Sequence, residues 1–95
     1  MESKLQQRKE IFGKCVMQNR DFLRLWQGRW QGIYSSHSEA DLAMCRMVAQ
    51  AGGSRQDADY FIRTSGLARE KWDKKHGNKT YGELTLDVVY KQVIR

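Results

Sequence analysis

Acid–base, nucleophilic and metal chemistry each need particular side chains at particular spacings, and this sequence offers few of either. Its two histidines, His37 and His76, have no Cys, His or carboxylate partner at a metal-ligand spacing. Asp57 and Asp59 are two apart; on a helix they diverge by roughly 200° around the axis and cannot hold one metal ion together. Ser35, Ser36 and Ser38 lack a nucleophile elbow, and Gly52-Gly53-Ser54 is too short to be a phosphate loop. No catalytic residue, metal site or cofactor is expected.

Binding chemistry is better supplied. The stretch GLAREKWDKKHGNKTYGE, residues 66–83, sets Trp72 among Arg69, Lys71, Lys74, Lys75 and Lys79, with Tyr81 just beyond. Single strands are held by cations along the phosphate backbone and by aromatic rings on which bases stack, and this stretch has both. Ala68 and Trp72 share a helical face close to Leu67, an arrangement that turns the ring toward a core and leaves the lysines as a solvated rim. The lysines are therefore the better contact candidates. Trp26 and Trp30, four apart around Gly28 with Arg24 and Arg29 beside them, form either a second stacking platform or pins that fix a loop to the fold.

Charge follows the same division. Residues 1–31 carry seven Lys/Arg against three acids, residues 32–68 three against four, and residues 69–79 five against two, so the net +6 sits in two places around a neutral middle. Clusters of this kind attract phosphate backbones, although a solvated surface has the same composition. Ninety-five residues suit one domain, residues 1–95, with a single modest core. No segment is apolar enough to span a bilayer, the N-terminus MESKLQQRKE has no secretory h-region, and Cys15 and Cys45 sit in apolar helical patterns as reduced core thiols. The chain reads as cytoplasmic.

The elements that must position these residues are helices. Residues 4–19 offer Leu5, Ile11, Phe12, Cys15 and Val16 to one side. Asp21 is placed to cap a short helix over 22–27 that Gly28 ends, and WQGIYSS is a loop. Ser38 with Asp41 resembles a capping box for a helix carrying Leu42, Cys45, Val48 and Ala49 up to Gly52-Gly53. Ser54 with Asp57 repeats the pattern ahead of Ala58, Phe61 and Ile62. Residues 69–75 read as a further short helix, Gly77-Asn78 as a turn, and residues 80–84 as a connector. Thr85 with Asp87 would cap a last helix through Leu86, Val89, Tyr90 and Val93, or a strand, given its β-branched content. The expected fold is all-α, a compact bundle of about five helices. The helix–break–helix over 38–65 has a helix-turn-helix outline, but acids at the start of its second helix would repel phosphates, which disfavours duplex reading.

LRLWQGRW, followed by SHSEADLAMCRMVAQAGGSRQDADYFIRTSGLAREKWDKKHGNKTYGELTLD, resembles the helical-bundle domain found C-terminal to the catalytic core in phage and plasmid primase–polymerases. The shared landmarks are a Leu-Trp-x-Gly element, a Ser-Glu-Ala-Asp helix, a Gly-Gly break, Ser-Gly-Leu-x-Arg-x-Lys-Trp and Thr-Tyr-Gly, in order over residues 23–87. The resemblance implies a non-catalytic accessory role in primer synthesis, engaging a single-stranded DNA template beside a polymerase or primase catalytic partner. The metal-binding carboxylates of that catalytic domain are absent. The chain opens on Met1 and a polar helix, as either a free-standing protein of a mobile element or an excised domain would. Nucleic-acid contact is expected from Arg69, Lys71, Trp72, Lys74, Lys75, Lys79 and Tyr81, with Arg29 in addition. The alternatives are a polymerase-interaction subunit without independent DNA binding, and a helix-turn-helix regulator of duplex DNA.

Overall fold

Apolar residues recurring at helical spacing, most runs opened by a small polar cap, give five α-helices among the described residues. The computed structural model describes residues 3–91. Helix α1 spans Lys4–Gln18, α2 Phe22–Trp26, α3 His37–Gln50, α4 Arg55–Thr64 and α5 Tyr81–Tyr90. A 3₁₀ turn, Glu70–Asp73, and two antiparallel two-residue strands, β1 Lys75–His76 and β2 Lys79–Thr80, lie between α4 and α5. The architecture is thus the expected all-α bundle, with a hairpin where the sequence suggests the rest of a helix. The hairpin loop is Gly77-Asn78, and only Gly77 has a positive φ, +81°.

The caps differ from expectation in an instructive way. The Ser54–Asp57 box forms in full, each side chain bonded to the other's backbone N–H. Helix α3, however, is capped by Ser36, whose hydroxyl accepts from the Glu39 N–H, so Ser38 and Asp41 lie inside the helix. Helix α5 opens on a box of Thr80 and Glu83 rather than on Thr85 and Asp87. An N-cap residue must itself be extended; Ser36 and Thr80 are, whereas Thr85 is helical and donates to the Tyr81 carbonyl. Asp21 makes no capping bond. Val93 lies outside the described residues.

Helix α3 is the hub, with α1, α2, α4 and α5 all packed against it. Phe22, Leu25, Met44, Val48, Phe61 and Ile62 fill the centre. Phe12, Phe22, Trp26 and Phe61 form an aromatic cluster with ring centroids 5.1–6.4 Å apart. Trp26 is half-buried against this core, and Trp30 packs beside the His37 ring at 5.6 Å, so both pin the loop between α2 and α3. Leu5, expected to face inward, is exposed. Cys15 and Cys45 are buried free thiols, pushed up by burial to about 11 and about 12 respectively.

Candidate nucleic-acid interface

The segment from 66 to 83 is positioned by a carboxylate that sequence reasoning took for a helix cap. Asp41, on α3, has no exposed surface. Its Oδ2 accepts from Arg69 Nη1 at 2.8 Å and from Tyr81 Oη at 2.9 Å. Its Oδ1 has no hydrogen-bond partner; His37 Nε2 stands 3.7 Å away, and also 3.3 Å from the Leu67 carbonyl oxygen. His37 therefore does have a carboxylate neighbour, contrary to expectation. Four residues is one helical turn, so the pairing was open to reading. Burial, reinforced by Asp41, raises the Tyr81 pKa despite bonding from Ser38 and Thr85.

Trp72 occupies the floor beneath this network and is 2 % exposed. Its Nε1 donates to Asp59 Oδ1 at 2.8 Å, and its ring meets Tyr81 edge-on at 5.9 Å. The ring also abuts Gly82, where a Cβ would lie 2.6 Å from the indole, so no larger residue fits without displacement. Asp59 also accepts from Arg63, which donates through both terminal nitrogens to Asp73 at 2.9 and 2.7 Å. Buried in this way, Trp72 presents no ring face to a base, and the expectation that it touches nucleic acid is corrected to a place in the core. Gly66 makes an equally close approach: its N–H donates to the Trp26 carbonyl at 2.7 Å, and a Cβ there would meet the Gln27 backbone at 2.5 Å.

The expected cations differ in how far their charge is already committed. Arg69 is committed to Asp41, and Lys79 to Asp87 at 2.6 Å, a carboxylate it shares with Arg55. Lys71 reaches Ser38 Oγ at 3.3 Å and covers the Tyr81 ring at 4.5 Å, which leaves that ring little free face. Lys74 and Lys75 are exposed, and neither makes an ion pair or side-chain hydrogen bond among the described residues. Lys71 and Lys74 meet Glu70 and His76 around a surface cleft of about 480 Å³. His76 is a cleft residue that sequence reasoning missed, because only the hairpin brings it there. Arg29 stands apart in the turn after α2; among the described residues its side chain bonds only to Gln27, at 3.5 Å.

No curated protein and no solved structure matches the chain. Residues 37–94, well over half of it, match the family model described as the NrS-1 polymerase HBD domain. The chain belongs to that family. This is a helical domain of a phage primase–polymerase family, in line with the resemblance seen in the sequence. The NrS-1 polymerase HBD match begins at the first residue of α3 and takes in Asp41, Arg69, Trp72, Tyr81 and Gly82. The residues at 23–30, which the resemblance included, lie outside it. In this NrS-1 polymerase HBD-like domain the landmark residues bond to one another: the Ser-Glu-Ala-Asp helix supplies Asp41, and the Leu-x-Arg-x-Lys-Trp and Thr-Tyr-Gly segments supply its partners. Among the described residues no helix is long and apolar enough to cross a membrane, and no group of three metal-ligating side chains occurs.

Proposed function

We propose that this domain is a non-catalytic accessory module of a primase–polymerase system. It binds single-stranded DNA template through the basic surface at 71–76 and docks on a polymerase or primase catalytic partner during primer synthesis. The observation that carries the reading is the separation of roles around the family landmark. Asp41, Arg69, Trp72 and Tyr81 lock the segment in place, while Lys71, Lys74 and Lys75 project from it with their charge uncommitted or weakly committed. A rigid support carrying unpaired cations suits a phosphate backbone, because little ordering is needed on binding. Arg69 and Lys79, already paired, serve the support more than the strand. Leu84 and Val88, 40 % and 52 % exposed and four apart on α5, offer an apolar face for the catalytic partner.

The Lys74→Ala, Lys75→Ala double variant tests the placement. Each phosphate that a cation neutralises on a single strand adds about 0.7 to the slope of log K against log salt. Removing two such cations should therefore flatten the slope by about 1.4. Equal affinity and slope in variant and parent would remove the hairpin from the interface. Stable co-purification with a polymerase by a protein that ignores oligonucleotides would select the interaction-subunit alternative.

A further inference from the structure

A second cleft lies away from the basic hairpin, between α1, α2 and α4. About 190 Å³ in volume, it is lined mainly by the aromatic side chains of Phe12, Trp26, Tyr60 and Phe61, with Arg8 and Lys9 at its rim. Trp26 and Tyr60 are half-buried in its walls. The Arg8 guanidinium lies 4.1 Å from the centre of the Tyr60 ring. It donates to Asp57 through Nε, and its terminal nitrogens make no hydrogen bond among the described residues. Lys9 is exposed and unpaired among the described residues.

This cleft is joined to the hairpin by a run of depressions that share walls. Arg8 and Tyr60 also line a depression of about 590 Å³, which reaches Arg63, Asp73 and Thr80. Arg63 and Asp73 in turn line the next depression, with Glu70, and Glu70 borders the cleft of Lys71, Lys74 and His76. Aromatic walls, the unpaired Lys9 and walls shared with the basic surface are the ingredients of a single-strand track with a stacking site at one end. Of the carboxylates along it, Asp59 and Asp73 are paired with Arg63 and Glu83 is tied to the Thr80 N–H, leaving Glu70 unpaired among the described residues.

We propose that the Phe12–Trp26–Tyr60 cleft is a base-binding site for single-stranded DNA, with Lys9 holding an adjoining phosphate and Arg8, paired with Asp57, supporting the Tyr60 wall, at the far end of a path that begins at the hairpin. The proposal rests on the single-strand reading above. It differs from that reading in assigning base recognition to α1 and α2, which lie outside the matched family segment. A protein partner would also find this cleft apolar, but the cationic rim and the shared walls favour the strand.

The test compares thymidine oligonucleotides with abasic strands of the same lengths, from about 4 to about 16 nucleotides, the span single-strand folds cover. Short strands report the hairpin alone; long ones reach the aromatic cleft. The parent should bind long thymidine strands more tightly than long abasic ones, by between about fivefold and about a hundredfold, with no such gap on short strands. Trp26→Leu, confirmed as folded by circular dichroism, should erase that gap while leaving short-strand binding unchanged. Lys9→Glu, at an exposed position that cannot disturb the core, should weaken long thymidine and long abasic strands alike and spare short ones. Lys74→Ala with Lys75→Ala should weaken every length. Equal parental binding to thymidine and abasic strands, a gap that survives Trp26→Leu, or long-strand binding indifferent to Lys9→Glu would each overturn the aromatic site while leaving the hairpin reading intact. Absence of single-strand binding at any length would overturn both.

Discussion

Replacing Asp41 with alanine should destabilise this domain more than any surface change, although Asp41 touches nothing outside the fold. The carboxylate is wholly buried and accepts from Arg69 and Tyr81 at 2.8 and 2.9 Å. Removing one partner of a buried pair costs about 3–5 kcal/mol when the other charge is left dry. The Arg69 side chain is 23 % exposed and can turn part of its guanidinium to water, which lowers that cost to about 2 kcal/mol. Tyr81, half-buried, loses its acceptor for about 1 kcal/mol more. The sum, about 3 kcal/mol, is a large part of the roughly 5–15 kcal/mol typical of a domain and corresponds to a fall in Tm of roughly 12–24 °C. Urea denaturation followed by far-ultraviolet circular dichroism reads it directly. Asp41→Asn, which keeps the shape and one acceptor but loses the charge, should fall between parent and Asp41→Ala. A loss under about 1 kcal/mol for Asp41→Ala would refute the role of Asp41 as the tie between α3 and the basic segment.

Three further outcomes follow from the same geometry. Gly82→Ala places a Cβ against the Trp72 indole, 2.6 Å from its nearest atom, and should cost about 1–3 kcal/mol in urea denaturation; the cost should shrink markedly in a Trp72→Phe background, and simple additivity would contradict the contact. Burial alone would raise the Asp57 pKa, but bonds from Ser54 and Arg8 outweigh it and hold the carboxyl below its ordinary value. A folded pKa below the unfolded value of about 3.9 contributes stability above that value and loses it as pH falls through the folded one. The stability gap between parent and Asp57→Asn should therefore narrow from about pH 4 downward, and a pH-independent gap would contradict it. Cys15 and Cys45, pushed up by burial to about 11 and about 12, should resist a thiol reagent at about pH 8 in the native protein and react fully in denaturant; prompt native labelling would show them accessible.

Much of the fold was legible because it is written locally. The Ser54–Asp57 box, the Gly77-Asn78 turn and the helical runs each lie within a few residues of chain. The errors arose where two local signals competed. Ser36 with Glu39 and Ser38 with Asp41 both fit a capping box, and the choice between them is made by Arg69 and Tyr81, 28 and 40 residues further along, which draw Asp41 into the core. Thr80 with Glu83 was hidden in the same way by Gly82, a helix-weakening residue kept there by the Trp72 ring. The site divided along the same line. Exposed Lys74 and Lys75 were readable as charge, whereas the burial of Trp72 depends on Asp59, thirteen residues away, and on a glycine in the next helix. Segment 69–75 read as a helix because its hairpin half carries no alternating apolar pattern; both its strands lie largely in solvent.

Whether Lys71, Lys74 and Lys75 on their rigid support hold a single strand is best decided by fluorescence anisotropy. A labelled single-stranded oligonucleotide and its duplex would be titrated with the protein at low and at moderate salt. The single strand should bind more tightly, with log K falling by about 0.7 per neutralised phosphate for each tenfold rise in salt. No binding to either form at low salt, or equal affinity for both, would contradict template binding by this surface.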